Sequence, residues 1–257
     1  MTLQINNNPT YRHFDACSEL SEYVHSFWIH TNPTDEIEKF TFAPDGFFKI
    51  IIVFQNNKII RYFKTGILTR PEKIQLPPNI IVVGCRFKIL APEYLFNQSI
   101  AHLVNKEKLL DLDYLNVKNF DITNLDKLIV QWEKELIKLI NNKKPHKNKL
   151  RLSRLLYKSK GTLKVTEVSK QIFWNQKQIN RYFIKFIGCS LKTYMNIQRA
   201  HNAYFDIRQG KLASTRDTFY DQSHYIKEIK KHTGATPKEV FQNQNETFKQ
   251  IRNIKKK

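Results

Sequence analysis

Lys177, Asn180 and Arg181 lie within five residues of one another, and 46 residues after that stretch the chain repeats the theme with Gln222, Ser223, His224 and Lys227. These are the side chains that read base edges in a DNA groove. An arginine fork matches guanine O6/N7, and an amide of Asn or Gln matches adenine N6/N7. Gln176, Lys185, Lys230 and Lys231 stand beside them and can hold backbone phosphates. Ile179 and Phe183, four apart, define an inner helical face, so Lys177, Asn180, Arg181 and Lys185 fall on other faces. Tyr225 and Ile229 do the same in the second set, where Phe219 and Tyr220 pack the turn. A merely solvated charge is the alternative for any one of these residues.

The elements that must position them follow from helix punctuation. Asn175 caps a helix over Gln176 to Ile187 that stops at Gly188, and Ser190 caps a long helix ending at Gly210. Thr236, Pro237 and Glu239 form a capping box for the last helix. Upstream, Leu150, Leu155 and Leu156 mark a short amphipathic helix ending before Gly161, and Thr166 caps another that runs to about Ile172. At an offset of 46, Asn175 matches Asp221, Gln176 matches Gln222, Arg181 matches Lys227 and Lys185 matches Lys231. Gly188 with Gly234, Ser190 with Thr236 and Lys192 with Lys238 continue the register. Each copy has a short helical stretch before it, giving helix, tight turn, helix twice over. The joining segment, Ser190 to Gln209, would make a rod of about 30 Å, close to the ~34 Å of one DNA turn, so both reading helices could enter consecutive major-groove segments.

The first half reads differently. Phe47 to Phe54 and Lys58 to Phe63, joined by Gln55, Asn56 and Asn57, predict a hairpin, and Ile80 to Phe87 a third strand. Several short strands with turns imply a sandwich or small barrel. Leu125, Leu128, Ile129, Trp132, Leu136, Leu139 and Ile140 form one apolar stripe on a helix of about sixteen residues. It either packs on its own domain or contributes to a homodimer. The fold class is α+β: residues 1–142 a sensory or dimerisation domain, 143–148 a basic linker and hinge, and 149–257 all-α with two helix-turn-helix units on a long helix.

Charge follows the same division. Residues 1–142 carry 16 basic and 16 acidic side chains, whereas 143–257 carry 27 and 7, so the net +20 lies wholly in the second part. The longest apolar runs, Ile50 to Phe54 and Ile80 to Val83, are too short for a membrane span, and no secretory signal opens the chain. Cys17, Cys85 and Cys189 are far apart and read as reduced cysteines of a cytoplasmic protein. His13, His25, His30 and His102 form no HxH or HxxxH pair, which argues against a metal site, a cofactor or an enzyme. Arg70 and Arg86 could meet an anion inside the first domain or take part in structural ion pairs. A sequence-indifferent packaging or RNA-binding protein is the alternative to a sequence reader; the mix of Gln, Asn, Ser and His with the lysines favours base readout.

The run TFYDQSHYIKEIKKHTGATPKEVF, Thr218 to Phe241, resembles the second helix-turn-helix of AraC/XylS-type bacterial transcription regulators. The run from Asn175 to Tyr204 resembles the first. PDGFFKIIIVF (Pro44 to Phe54), TGILTRP (Thr65 to Pro71) and VGCRFK (Val83 to Lys88) are similar to the cupin-like sensory barrels attached to some of them. The sequence departs from the family pattern at Phe173 and Thr218 in the turns, at Ser169 and Ser214 in place of alanines, and at Leu191 in place of a proline. The resemblance implies a bacterial transcription factor that binds double-stranded DNA, with a small-molecule effector, a second copy and RNA polymerase as further partners.

Overall fold

A computed structural model describes residues 10–140, 144–210, 219 and 221–242. Eight strands come first: β1 (Thr10–Asp15), β2 (Val24–Asn32), β3 (Glu38–Phe42), β4 (Phe48–Gln55), β5 (Lys58–Thr65), β6 (Glu72–Leu76), β7 (Ile80–Phe87) and β8 (Glu107–Leu109). Six form an antiparallel sheet in the order β1-β2-β7-β4-β5-β8, and β3 pairs with β6 as a separate ribbon. The expected hairpin is β4–β5. Asn56 and Asn57 both take positive φ at its tip, the backbone that a tight two-residue turn needs.

Both faces of the six-stranded sheet are covered. Along β4, Phe48, Ile50, Ile52 and Phe54 point into the main core with Phe27, Ile29, Val83, Cys85 and Phe87 of β2 and β7. The alternate residue Ile51 points the other way and meets Tyr11, Trp28, Leu76 and Val82 beneath the β3–β6 ribbon. Strict alternation is why one strand can serve two cores.

Helix α1 (Ala91–Tyr94) lies between β7 and β8, and α2 (Leu125–Lys138), α3 (Lys147–Ser159), α4 (Val165–Ile172), α5 (Gln176–Phe186), α6 (Leu191–Arg208), α7 (Gln222–Thr233) and α8 (Pro237–Gln242) follow the strands. The stripe on α2 packs on its own sheet, with Leu128, Ile129, Trp132 and Leu136 buried in the main core. That same core continues without a break through Leu90, Tyr94, Leu152, Leu156, Ile179, Phe183 and Tyr194, so the two halves share it. The segment 143–148, expected as a linker, overlaps the start of a helix. α3 already begins at Lys147, and the His146 N–H donates to the Tyr94 hydroxyl at 3.1 Å.

The caps fall as follows. Asn175 accepts from the Gln178 N–H at 2.8 Å, Ser190 from Thr193 at 3.0 Å and Asp221 from His224 at 2.7 Å. Thr236 and Glu239 bond reciprocally at 2.6 and 3.3 Å. Thr166 is not a cap. It lies inside α4, which starts at Val165, and the Glu167 carboxylate accepts from the Lys164 N–H at 2.7 Å. The residues that would form the first helix of the second copy, with Ser214, Thr218 and Tyr220, lie outside the described residues. So do Asn142 and Lys143, and the tail with Arg252 and Lys255 to Lys257.

Phe173 ends α4 in the left-handed region at φ 55°, ψ 42°, and it is 80% exposed. A non-glycine residue there costs about 1–2 kcal/mol. Phe173→Gly gives part of this back as unfolded-chain entropy, so the expected net gain is about 0.5–1 kcal/mol. Calorimetry should show the melting temperature rising by about 2–3 °C.

Candidate nucleic-acid interface

α5 is built with one apolar side, Ile179, Tyr182 and Phe183 being buried, while Gln176, Lys177, Asn180, Arg181 and Lys185 are exposed. On α7, Tyr225 and Ile229 are buried, and Gln222, Ser223, Lys227, Lys230 and Lys231 are exposed. The ends of α5 and α7 correspond as well, since Gly188 and Gly234 both take positive φ, at 92° and 78°.

Two of the sequence-selected residues are more engaged than their types suggested. The Asn180 carbonyl oxygen accepts from the Leu191 N–H at the start of α6, at 3.3 Å. A two-point contact to adenine uses both ends of the amide, so only the NH₂ end of Asn180 is left to meet a base. His224 is half-buried, and its ring lies 5.9 Å from that of Phe219. Its Nδ1 is buried, so that nitrogen is not presented to a groove.

Gln176 and Asn180 of α5 and His224 of α7 line one concave surface, an open hollow of about 810 Å³. Lys164, Lys192, Asn196 and Arg199 line the same hollow and were not among the DNA contacts expected from the sequence, Lys192 having served only to fix the repeat register. Arg199 is placed by a hydrogen bond from Nε to the Gly161 carbonyl at 2.9 Å, and its guanidinium lies over the Phe219 ring. For Lys192, Asn196 and Arg199 the signal was present in the basic and amide positions of α6, but a helix that looks like a spacer draws attention to its length first; Lys164 stands at the N-cap of α4.

The C-terminal end of α5 is held by the first half of the chain. The Ser99 hydroxyl donates to the Lys185 carbonyl at 2.6 Å, and the Ile100 N–H to the Phe186 carbonyl at 3.0 Å. These carbonyls have no partner within their own helix. The Tyr182 hydroxyl in turn donates to the Ile89 carbonyl at 3.1 Å.

Of the two arginines weighed for the first half, Arg70 is exposed, whereas Arg86 is buried and pairs with Asp45 at 3.2 Å. Among the described residues no group of three or more His, Cys, Asp or Glu is placed to hold a metal ion. None of the described helices is long and apolar enough to cross a membrane.

Residues 12–108 match a domain of unknown function, DUF6597. That is the strand region from β1 into β8. No curated protein matches the chain. Among solved structures, ToxT from Vibrio cholerae O395 is 9% identical with a TM-score of 0.43, covering 91% of this chain and 96% of that one. A wild-type ToxT from Vibrio cholerae strain SCE256, solved with an unsaturated fatty acid bound, is 11% identical with a TM-score of 0.44, covering 93% and 97%.

Proposed function

We propose that the chain is a sequence-specific DNA-binding transcription regulator of the AraC/XylS type, with a cupin-like first domain that takes a small-molecule effector and biases the reader attached to it. One observation carries the DNA reading. Two basic helices related by the 46-residue repeat are capped alike and contribute side chains to one hollow, across which α6 supplies further cations. α6 spans 18 residues, or about 27 Å, which suits two entries into neighbouring major-groove segments. Lys177, Arg181, Gln222, Ser223, His224 and Lys227 read bases, with Asn180 contributing its NH₂ alone; Gln176, Lys185, Lys230 and Lys231 meet phosphates.

Selection of bound sites from random duplexes is the test. A defined motif covering roughly two major-groove segments supports a regulator; recovery of no motif supports sequence-indifferent packaging instead. On the selected site, Arg181→Ala is expected to cost about 1–3 kcal/mol, with much less lost on random DNA. Equal losses on both would reduce Arg181 to a phosphate contact. Because the +20 lies in the reader half, affinity should fall steeply with salt through counterion release. Fluorescence anisotropy across a salt series measures it, and a flat profile would sink the electrostatic reading.

A further inference from the structure

The outward side of α5 is polar with one exception. Gln176, Lys177, Asn180, Arg181, Ile184 and Lys185 are exposed there, and Ile184 alone among them is apolar, at 50% exposure. Successive residues of an α-helix turn by about 100°, so seven residues bring Ile184 back to within about 20° of Lys177. It stands between the columns of Asn180 and Arg181, about 40° from the first and about 60° from the second. The middle of the face that carries the base readers is therefore an isoleucine.

That side chain has no way inward. Its neighbours Tyr182 and Phe183 are buried, and the helix is fixed just beyond it, where the Lys185 carbonyl accepts from the Ser99 hydroxyl and the Phe186 carbonyl from the Ile100 N–H. What surrounds it is cationic or amide, and α5 carries no Asp or Glu. Such a surround suits a polyanion. A single isoleucine is also far too small a patch for a protein partner, which takes about 800 Å² from each side. Among the groups that a base pair shows in the major groove, the apolar one is the 5-methyl of thymine.

The repeat supplies a contrast. At the offset of 46 the residue matching Ile184 is Lys230, exposed at the same place on α7 beside the buried Ile229. Arg181 and Lys185 keep their charge in the second copy as Lys227 and Lys231. The two reading helices thus differ at the middle of otherwise matched faces, an apolar group on the first and a cation on the second.

We infer that Ile184 is a specificity-determining residue of the first reading helix, packing on the 5-methyl group of a thymine in the major-groove segment that α5 enters. This rests on the DNA reading proposed above and narrows it to a base and a place. Three residues of helix rise about 4.5 Å and base pairs stack about 3.4 Å apart, so the thymine lies within about two base pairs of the base read by Arg181. Contact takes the apolar surfaces of both partners out of water. Opposite cytosine the same isoleucine would cover an N4 amino donor and leave it unpaired, which is unfavourable. The segment under α7 carries no matching requirement, because Lys230 holds that position.

The test uses the full chain and the duplex recovered by selection from random sites. Each thymine of the motif is replaced in turn by deoxyuridine, which removes the methyl group and keeps O4, and affinity is followed by fluorescence anisotropy. One thymine should show a loss of about fourfold, the worth of one buried methyl-sized group. It should lie within two base pairs of the position at which Arg181→Ala relaxes selectivity. Ile184→Ala should bind the thymine and deoxyuridine duplexes alike, whereas Ile184→Val, which keeps two branched methyls, should retain most of the difference. At the same place 5-methylcytosine should bind the wild type more tightly than cytosine does. Thermal melts of the variants should match the wild type, and the deoxyuridine scan on the wild type stands by itself if they do not. Indifference to deoxyuridine at every thymine, or an Ile184→Ala variant that discriminates as strongly as the wild type, overturns the assignment and leaves a defined motif and the DNA reading standing. Selection that returns no motif overturns both.

Discussion

Trp132→Ala is expected to destabilise the protein by about 3–5 kcal/mol, the range for truncating a fully buried tryptophan. Trp132 is 0% exposed and is the largest fully buried side chain. Its ring lies 5.8 Å from Phe27 on β2 and 6.4 Å from Phe120 on the chain entering α2, so it closes the gap between helix and sheet. Among the described residues its indole N–H has no hydrogen-bond partner, which removes a small part of the cost of its loss. Trp132→Phe deletes that donor with less lost volume and should cost clearly less than the alanine. Urea unfolding of the two variants checks the order. A Trp132→Ala loss under about 1 kcal/mol would mean that α2 is not clamped to the sheet as described.

The position of Trp132 was legible because helical spacing alone puts Leu128, Ile129, Trp132 and Leu136 on one side. Where that side docks was not, and homodimerisation competed with the answer. The caps at Asn175, Ser190 and Thr236 were legible for a similar reason, since each bond joins residues three apart. Thr166 misled because a hydroxyl near a helix start competes with a backbone N–H capped from within the helix by Glu167.

The buried cluster in which Asp45 pairs with Lys49 at 2.8 Å and with Arg86 at 3.2 Å shows the opposite case. Lys49 is the odd polar residue in FFKIIIVF, in phase with Ile51 and Val53, which marks it as inward on one face. Its pairing with Arg86, 37 residues on, is fixed by the strand register, and no local pattern encodes which strands become neighbours. The ribbon β3–β6 was missed on the same account. Glu38–Phe42 and Glu72–Leu76 pair across twenty-nine intervening residues and alternate too weakly to be read as strands singly.

Gly188→Ala is the second large effect, and its repeat partner Gly234→Ala supplies the control. Both glycines stop a helix in the left-handed region, at φ 92° and 78°, so both pay the same backbone cost of about 1–2 kcal/mol on gaining a side chain. Their surroundings differ. A Cβ on Gly188 would lie 2.5 Å from the Ala101 carbonyl oxygen, 2.6 Å from Val104 Cγ2 and 2.7 Å from Ala101 Cα, whereas on Gly234 the nearest atom is Pro71 Cγ at 3.8 Å. The first contacts are mostly backbone and cannot rotate away; the last is ordinary van der Waals distance. Relief at Gly188 must push the end of α5 off the segment that gives it the Ser99 and Ile100 hydrogen bonds. The overpacking adds about 1–3 kcal/mol to the backbone cost, so Gly188→Ala should lose about 2–5 kcal/mol and Gly234→Ala about 1–2. The difference between the two measures how firmly the first half of the chain grips the first reading helix. Equal losses in parallel denaturant titrations would show that the grip is slack, and with it the route by which an effector on the N-terminal half could reach α5.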